Sequence, residues 1–181
     1  VLSILLAVLT VLGAFSVTAF AAEKKQGASL LTSDSDIISV LGMLDIMVGD
    51  GSGNLMLDSN LTRAQFVKMT VNASTYRDSV NLGTAYNPYP DVRGAHWASP
   101  YVYAASTAKL VNGYLDGTFR PDNYVKLEEA ATIALRLLGY TSSDLVGVYP
   151  DAQLAKYSEL GLDAKVAAKK GEYITRRNCM Y

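Results

Sequence analysis

The sequence predicts a mainly α-helical protein built from three copies of one helix–glycine-rich loop–helix unit. Two observations carry this. Apolar residues recur at helical spacing, and no β-rich run interrupts them. The chain also repeats itself. NLTRAQFVKMTV (60–71) lies over YVKLEEAATIAL (124–135), a shift of 64 residues. The same shift puts Gly49 on Gly113, Gly53 on Gly117, Leu55 on Phe119 and Asp58 on Asp122 without a gap. A third copy begins at YPDAQLAKYSELGL (149–162), where Tyr149-Pro150-Asp151 repeats Tyr89-Pro90-Asp91. It closes with YITRRNCM (173–180) over YVKLEEAA (124–131).

The predicted units span 28–78, 88–140 and 147–181, the last incomplete, with linkers near Ser79–Asn87 and Thr141–Val148. A unit of this size buries little surface by itself. Three stacked units sharing one core are therefore expected rather than three separate domains.

Residues 1–22 form a separate segment, VLSILLAVLTVLGAFSVTAFAA, without a charge. Its small-residue end places Ala19 and Ala21 in the A-x-A relation of a cleaved signal peptide. A retained membrane anchor is the alternative, since about 20 apolar residues span a bilayer. The lone Cys179 cannot form an internal disulfide and reads as a small buried hydrophobe.

In the first unit Ile37, Ile38, Leu41 and Leu44 recur at helical spacing, with Ser35 or Asp36 as cap. Its second helix starts at Thr62, with Gln65 completing a capping box. In the second unit Ser99 and Pro100 read as N-cap and first-turn proline, with Tyr101, Val102, Ala105 and Ala108 facing inward. The next helix runs from about Leu127 to Leu138 and stops at Gly139. In the third unit Leu154, Tyr157 and Leu160 form a short helix closed by Gly161, and Thr175 starts another.

The loop GYLDGTFRPD (113–122) is dense in glycine, aspartate and aromatic residues. Gly113 and Gly117 predict positive φ, Asp116-Gly117 a tight turn, and Phe119 a return to the core with Trp97 packing across the same seam. The loop reads first as a structural clasp.

Composition excludes several classes. The formal net charge is -1, so there is no global electrostatic case for nucleic acid. One His and one Cys leave metal clusters and Cys–His or Ser–His arrangements without parts. His96 beside Trp97 reads as a cap or packing residue. In DGSGN (50–54) the obligatory glycine and the distant glutamate of a calcium loop are misplaced. No catalytic residue, cofactor or metal site is expected.

The stretch YPDVRGAHWASPYVYAASTAKLVNGYLDGTFRPDNYVKLEEAATIALRLLGY resembles a surface-layer homology (SLH) module. It carries that family's aromatic-x-Asp start, His-Trp pair and Gly-Tyr-x-Asp-Gly-x-Phe-x-Pro loop. The first and third units are divergent copies, which keep LTRAQ and YITRR. The resemblance implies a mainly α SLH triplet, a pseudo-threefold spindle around a central three-helix bundle with one helix per repeat. It implies a secreted, non-catalytic anchor at the wall of a Gram-positive-type bacterium, binding secondary cell-wall polysaccharide, often pyruvylated, in grooves between units. Self-association into a surface layer goes with the family. The membrane enters only through the signal segment.

In the family, the arginine of a Thr-Arg-Ala-Glu helix start contacts the polymer. The resemblance therefore points to Arg63 and Arg176, each one residue after a threonine cap, Thr62 and Thr175, with Gly113, Asp116 and Trp97 as further contacts. A first-turn arginine fork beside free backbone N–H groups suits a carboxylate. Pairing with nearby carboxylates is the alternative for both. The second unit departs from the pattern, with Leu127 at the arginine position, so a groove built there should be weakened. A reading from another class remains open: the chain is the N-terminal piece of a larger secreted enzyme or adhesin.

Overall fold

The computed structural model describes residues 33–81 and 89–181; the expected signal segment lies outside the described residues. Residues 38–181 form one compact unit. The helices are α1 (Asp34–Met43), α2 (Arg63–Asn72), α3 (Ser99–Thr107), α4 (Leu127–Leu137), α5 (Asp151–Glu159) and α6 (Arg176–Cys179), with 3-10 turns at Thr75–Ser79 and Ser142–Asp144. Among the described residues there are isolated β-bridges but no strands, so the fold is mainly α. Among them, no helix is long and apolar enough to cross a membrane.

The helix starts follow from side-chain chemistry. Thr62 Oγ1 accepts from Gln65 N (3.2 Å) and Gln65 Oε1 accepts from Thr62 N (3.1 Å), the predicted box. Thr175 does the same with Asn178. Two expected caps move. At α1 the acceptor is Ser33, whose hydroxyl takes the Asp36 N–H (3.2 Å), rather than Ser35 or Asp36. At α3 the cap is Ala98, and Ser99 lies wholly buried inside the first turn. The chain bends earlier there because His96 Nδ1 accepts from Ala98 N (3.1 Å) and its carbonyl accepts from Ser99 N. His96 thus shapes the turn before the N-cap and stacks on Trp97, but is not itself the helix cap. Pro100 sits in the first turn as predicted. Of the four residues expected to face inward, Val102 and Ala105 are buried, while Tyr101 and Ala108 are half-buried.

A closed ring of backbone bonds ties the three helix starts together. Leu61 N donates to Ile174 O (3.0 Å), Ile174 N to Val125 O (3.1 Å) and Val125 N to Leu61 O (3.0 Å). The side chains of these three residues are buried. Two residues further on, Arg63 N donates to Asn123 O, Leu127 N to Glu172 O and Arg176 N to Ser59 O. These are first-turn amides, which have no partner inside their own helix. Each helix start is therefore satisfied by a neighbouring copy rather than by water. The β-bridges Thr62–Tyr124, Lys126–Tyr173 and Asn60–Thr175 trace the same cycle.

The 64-residue register also holds in the backbone. Asp45 and Lys109, Met56 and Arg120, and Gly53 and Gly117 all adopt positive φ. Around the ring, α2 packs on α3 and touches α4, and α4 packs on α5. The deepest side chains are Phe119, Leu61, Leu135, Val67, Val71, Val92, Val102 and Val125.

Trp97 does not join that core. It is 51% exposed and stacks on His96 at 5.7 Å, whereas Phe119 is 0% exposed. The expectation that both aromatics clasp the seam is corrected for Trp97: the turn that caps α3 directs it outward. Phe119→Ala should therefore cost about 3–5 kcal/mol, the usual loss for emptying an aromatic core site. Trp97→Ala should cost less than about 1 kcal/mol. Urea unfolding of both variants checks this, and equal losses would overturn the assignment.

Candidate functional site

The loop at 113–122 is built by its own polar groups. Tyr114 N donates to Thr118 O (2.7 Å) and Gly117, at φ +80°, closes the turn predicted for it. Gly113 is required for a different reason from the one expected. Its φ is not in the positive region; instead a Cβ there would meet the Tyr89 ring and lie 2.7 Å from Thr118 O. Asp91 holds the far side, accepting from Phe119 N (2.9 Å) and Arg120 N (2.6 Å). Asp116 accepts from the Thr118 hydroxyl (2.6 Å), Arg120 Nη2 (2.8 Å) and Thr118 N (3.0 Å). These bonds, those from Thr118 and Arg120 foremost, hold its carboxyl well below the usual range. Asp116 is exposed and spent on its own loop, and it lines none of the three clefts that follow.

The first cleft, about 230 Å³, lies between Arg63 and the residues Val111–Tyr114. Arg63 is 6% exposed. Its Nε donates to Phe119 O (2.9 Å), Nη2 reaches Asn112 O (3.4 Å) and Nη1 pairs with Glu129 Oε1 (2.9 Å). The guanidinium also lies 4.7 and 4.8 Å from the ring centres of Tyr114 and Phe119. Glu129 additionally accepts from the Tyr114 hydroxyl (2.7 Å) and from Lys126 N (3.0 Å). Arg63 thus has its charge matched by a carboxylate, one of the two roles weighed for it. Arg136 shares the cleft and donates to Leu110 O (3.2 Å).

The second cleft, about 210 Å³, repeats this arrangement around Arg176, with Val48, Gly49 and Asp50 in place of the loop and Lys68 and Trp97 at its wall. Arg176 is 7% exposed. Nε donates to Leu55 O (2.6 Å) and Nη2 to Val48 O (2.7 Å). It has no carboxylate partner among the described residues, and burial pushes its pKa down. Lys68 is 6.0 Å from the Tyr101 ring and forms no ion pair among the described residues. Asp50, the one acid in the cleft, is engaged by Ser52 and Asn54, and these bonds lower its pKa.

At the third helix start Leu127 stands where the arginines stand. It is buried and lines an apolar cavity of about 280 Å³ with Phe66, Met69, Ala130 and Cys179. The neighbouring segment is held instead by Glu128 Oε2, which accepts from Gly171 N (2.9 Å), and by Lys170–Asp151 (2.6 Å). The groove at this seam is open and about 640 Å³, lined by Tyr114, Tyr124, Tyr149 and Tyr173 with Arg120 and Lys126.

The structure therefore brings Arg63 and Gly113 together in one cleft and Arg176 and Trp97 in another. Thr62 and Thr175 are spent as caps and Asp116 in its turn. The tyrosine groove was missed, although Tyr124 and Tyr173 coincide in the repeat alignment and signal it. Among the described residues no group of three or more His, Cys, Asp or Glu side chains is placed to hold a metal ion.

Residues 88–131 match the family model described as the S-layer homology domain. The chain is 33% identical over 162 residues to the Middle cell wall protein of Brevibacillus brevis, covering 85% of this chain and 15% of that protein. It is 34% identical over 145 residues to the Surface layer protein of Brevibacillus choshinensis, covering 80% and 13%. It is 31% identical over 91 residues to the Cellulosome-anchoring protein of Acetivibrio thermocellus, covering 50% and 20%. The chain thus spans a small part of the length of each of these relatives.

Burial and the hydrogen bond to Glu129 push the Tyr114 phenol up to about 12. A raised acid favours folding while the unfolded chain's phenol, near 10, is still protonated. That contribution is complete below about pH 10 and disappears as pH rises towards 12. The Tyr114→Phe variant should lose less melting temperature than the wild type over this window, as thermal melts at stepped pH will measure.

Proposed function

We propose, from the premise that residues 88–131 are an S-layer homology domain, that this chain is a non-catalytic cell-surface anchoring region. It binds a secondary cell-wall polysaccharide without a covalent bond. In this reading the units 28–78, 88–140 and 147–181 form a pseudo-threefold spindle in which α2, α4 and α6 are the central bundle. The cyclic bonds among Leu61, Val125 and Ile174 support that arrangement. The names of the relatives, a surface layer protein and a cellulosome-anchoring protein among them, support a surface location.

The observation that carries the ligand assignment is Arg176. A guanidinium nine-tenths buried, hydrogen-bonded to two carbonyls and lacking a carboxylate, is a cation short of a counter-charge. Burying an unmatched charge is costly. A carboxylate carried on a sugar, such as a pyruvate ketal, would supply the match, with Lys68 adding a second cation and Trp97 an apolar wall. Arg63, already paired with Glu129, contributes more to holding the loop than to the anion. The second reading, that the chain is the anchoring region of a larger secreted enzyme or adhesin, is favoured by its 15% coverage of the Brevibacillus brevis relative. The two readings are compatible.

The test is co-sedimentation with cell-wall sacculi before and after hydrofluoric-acid stripping of their polysaccharide. Arg176→Ala should weaken pelleting by about one to two decades, the loss of a charge-assisted hydrogen bond. Arg176→Lys with Lys68→Gln guards against a variant that merely unfolds. Arg63→Ala should instead lower stability by about 3–5 kcal/mol, because it strands a part-buried carboxylate. Equal pelleting with stripped walls would reject the polysaccharide. Undiminished pelleting by the folded Lys68/Arg176 variant would reject this cleft.

A further inference from the structure

The seam between the second and third repeats is chemically unlike the other two. Its arginine position is Leu127, which is turned into the apolar cavity. Its groove is the largest of the three clefts, at about 640 Å³, within the range of small-molecule sites. We infer that this groove is a subsite for an uncharged, gluco-configured pyranose, held by stacking on tyrosine rings rather than by an ion pair. The inference rests on the reading that the chain binds a wall glycan.

Two properties point to an uncharged sugar. The first is the absence of spare positive charge. Glu129 is occupied by Arg63 and Tyr114, Glu128 by Gly171 N, and Arg120 by Asp116. Lys126 and Asp122 remain, one of each sign, and Glu128 keeps its negative charge because a backbone N–H does not neutralise it. The groove therefore has no surplus cation comparable to Arg176 with which to bind a carboxylate.

The second is the placement of the rings. Tyr124 and Tyr173 meet edge to face, with centroids 5.6 Å apart and planes at 62°. Tyr124, Tyr149 and Tyr173 are 49%, 57% and 47% exposed, far above what core packing leaves. Their hydroxyls bond to no protein group among the described residues. A tyrosine offers an apolar ring face together with a polar tip. A gluco-configured pyranose is the matching shape: its hydroxyls are equatorial, so its axial C–H bonds form a flat apolar face and its rim carries hydrogen-bonding groups. Arg120 is stacked 4.1 Å from the Tyr114 ring centre and fixes that ring at the groove's edge.

The probe is cellohexaose, titrated into the full chain by calorimetry with amide NMR shifts as second readout. The same hexasaccharide oxidised to carboxylates at C6 is the control. Saturable binding of cellohexaose is expected, changing less than about twofold between roughly 50 and 500 mM salt. Tyr124→Ala with Tyr173→Ala should weaken it about tenfold, while the corresponding Phe pair should stay within about threefold. Arg176→Lys should leave cellohexaose binding unchanged while reducing sacculus pelleting, which separates this subsite from the anion cleft. The inference falls if no saturation occurs below about 10 mM cellohexaose, if the oxidised probe binds more tightly, or if the folded Ala pair binds as well as wild type. Failure of the unmutated chain to pellet with intact sacculi while it still binds cellohexaose would reject only the anionic polymer.

Discussion

The backbone triangle of Leu61, Val125 and Ile174 is the constraint on which the rest depends. Each residue immediately precedes the threonine or lysine that opens a helix, and each donates its N–H to another copy and accepts from the third. These groups are buried, so leaving any one unpaired would cost on the order of 1–3 kcal/mol. No copy can satisfy its own helix start. The first-turn amides of Arg63, Leu127 and Arg176 extend the same dependence two residues further. Three short stretches, each too small to bury a core, thereby become one cooperative object.

That closed ring fixes where the clefts fall. A residue at the first helical position is carried by the ring against the loop of the neighbouring copy, so its side chain decides what kind of seam results. Arginine clamps loop carbonyls, as Arg63 does at Phe119 and Arg176 at Leu55 and Val48. Leucine cannot, and Leu127 packs inward instead. The difference between the two arginines comes from one position on the following turn. Glu129 supplies Arg63 with a carboxylate across the seam, whereas Gln65, its counterpart in the first copy, is neutral and serves only as a capping partner. A single neutral-for-charged difference leaves Arg176 without a counter-ion.

Much of this was legible in the sequence, because its strongest signals are local or periodic. The Thr62–Gln65 box needs only i to i+3 geometry, and Thr175 with Asn178 follows the same rule with a shorter side chain. The internal register survives as shared positive-φ positions 64 residues apart. What was misread depended on distant atoms. Gly113 is glycine because the Tyr89 ring and Thr118 O crowd it, not because of its own torsion. Ser99 looked like a cap, but His96 turns the chain first. Trp97 looked like core because large aromatics usually are, yet it follows the capping residue outward. The tyrosine groove combines residues from positions 114 to 173, a juxtaposition that only the closed ring creates.

Unequal seams also bear on how an anchor can hold one polymer. Three identical clefts would offer a chain three equivalent registers, and it could slide among them. On the proposed function, a cationic cleft at Arg176 and an aromatic groove without spare positive charge beside Tyr124 and Tyr173 would respond to different features of a glycan. Once one feature is bound, the rigid ring fixes the distance to the other, and the second contact becomes intramolecular. Modest individual affinities then multiply through effective concentration, provided that the glycan repeat can reach both sites. Salt would weaken the first contact far more than the second, since only one of them is a charge interaction. On that reading, leucine rather than arginine at position 127 need not weaken anchoring: it would exchange one mode of recognition for another while Glu128 and Lys170 hold the neighbouring segment.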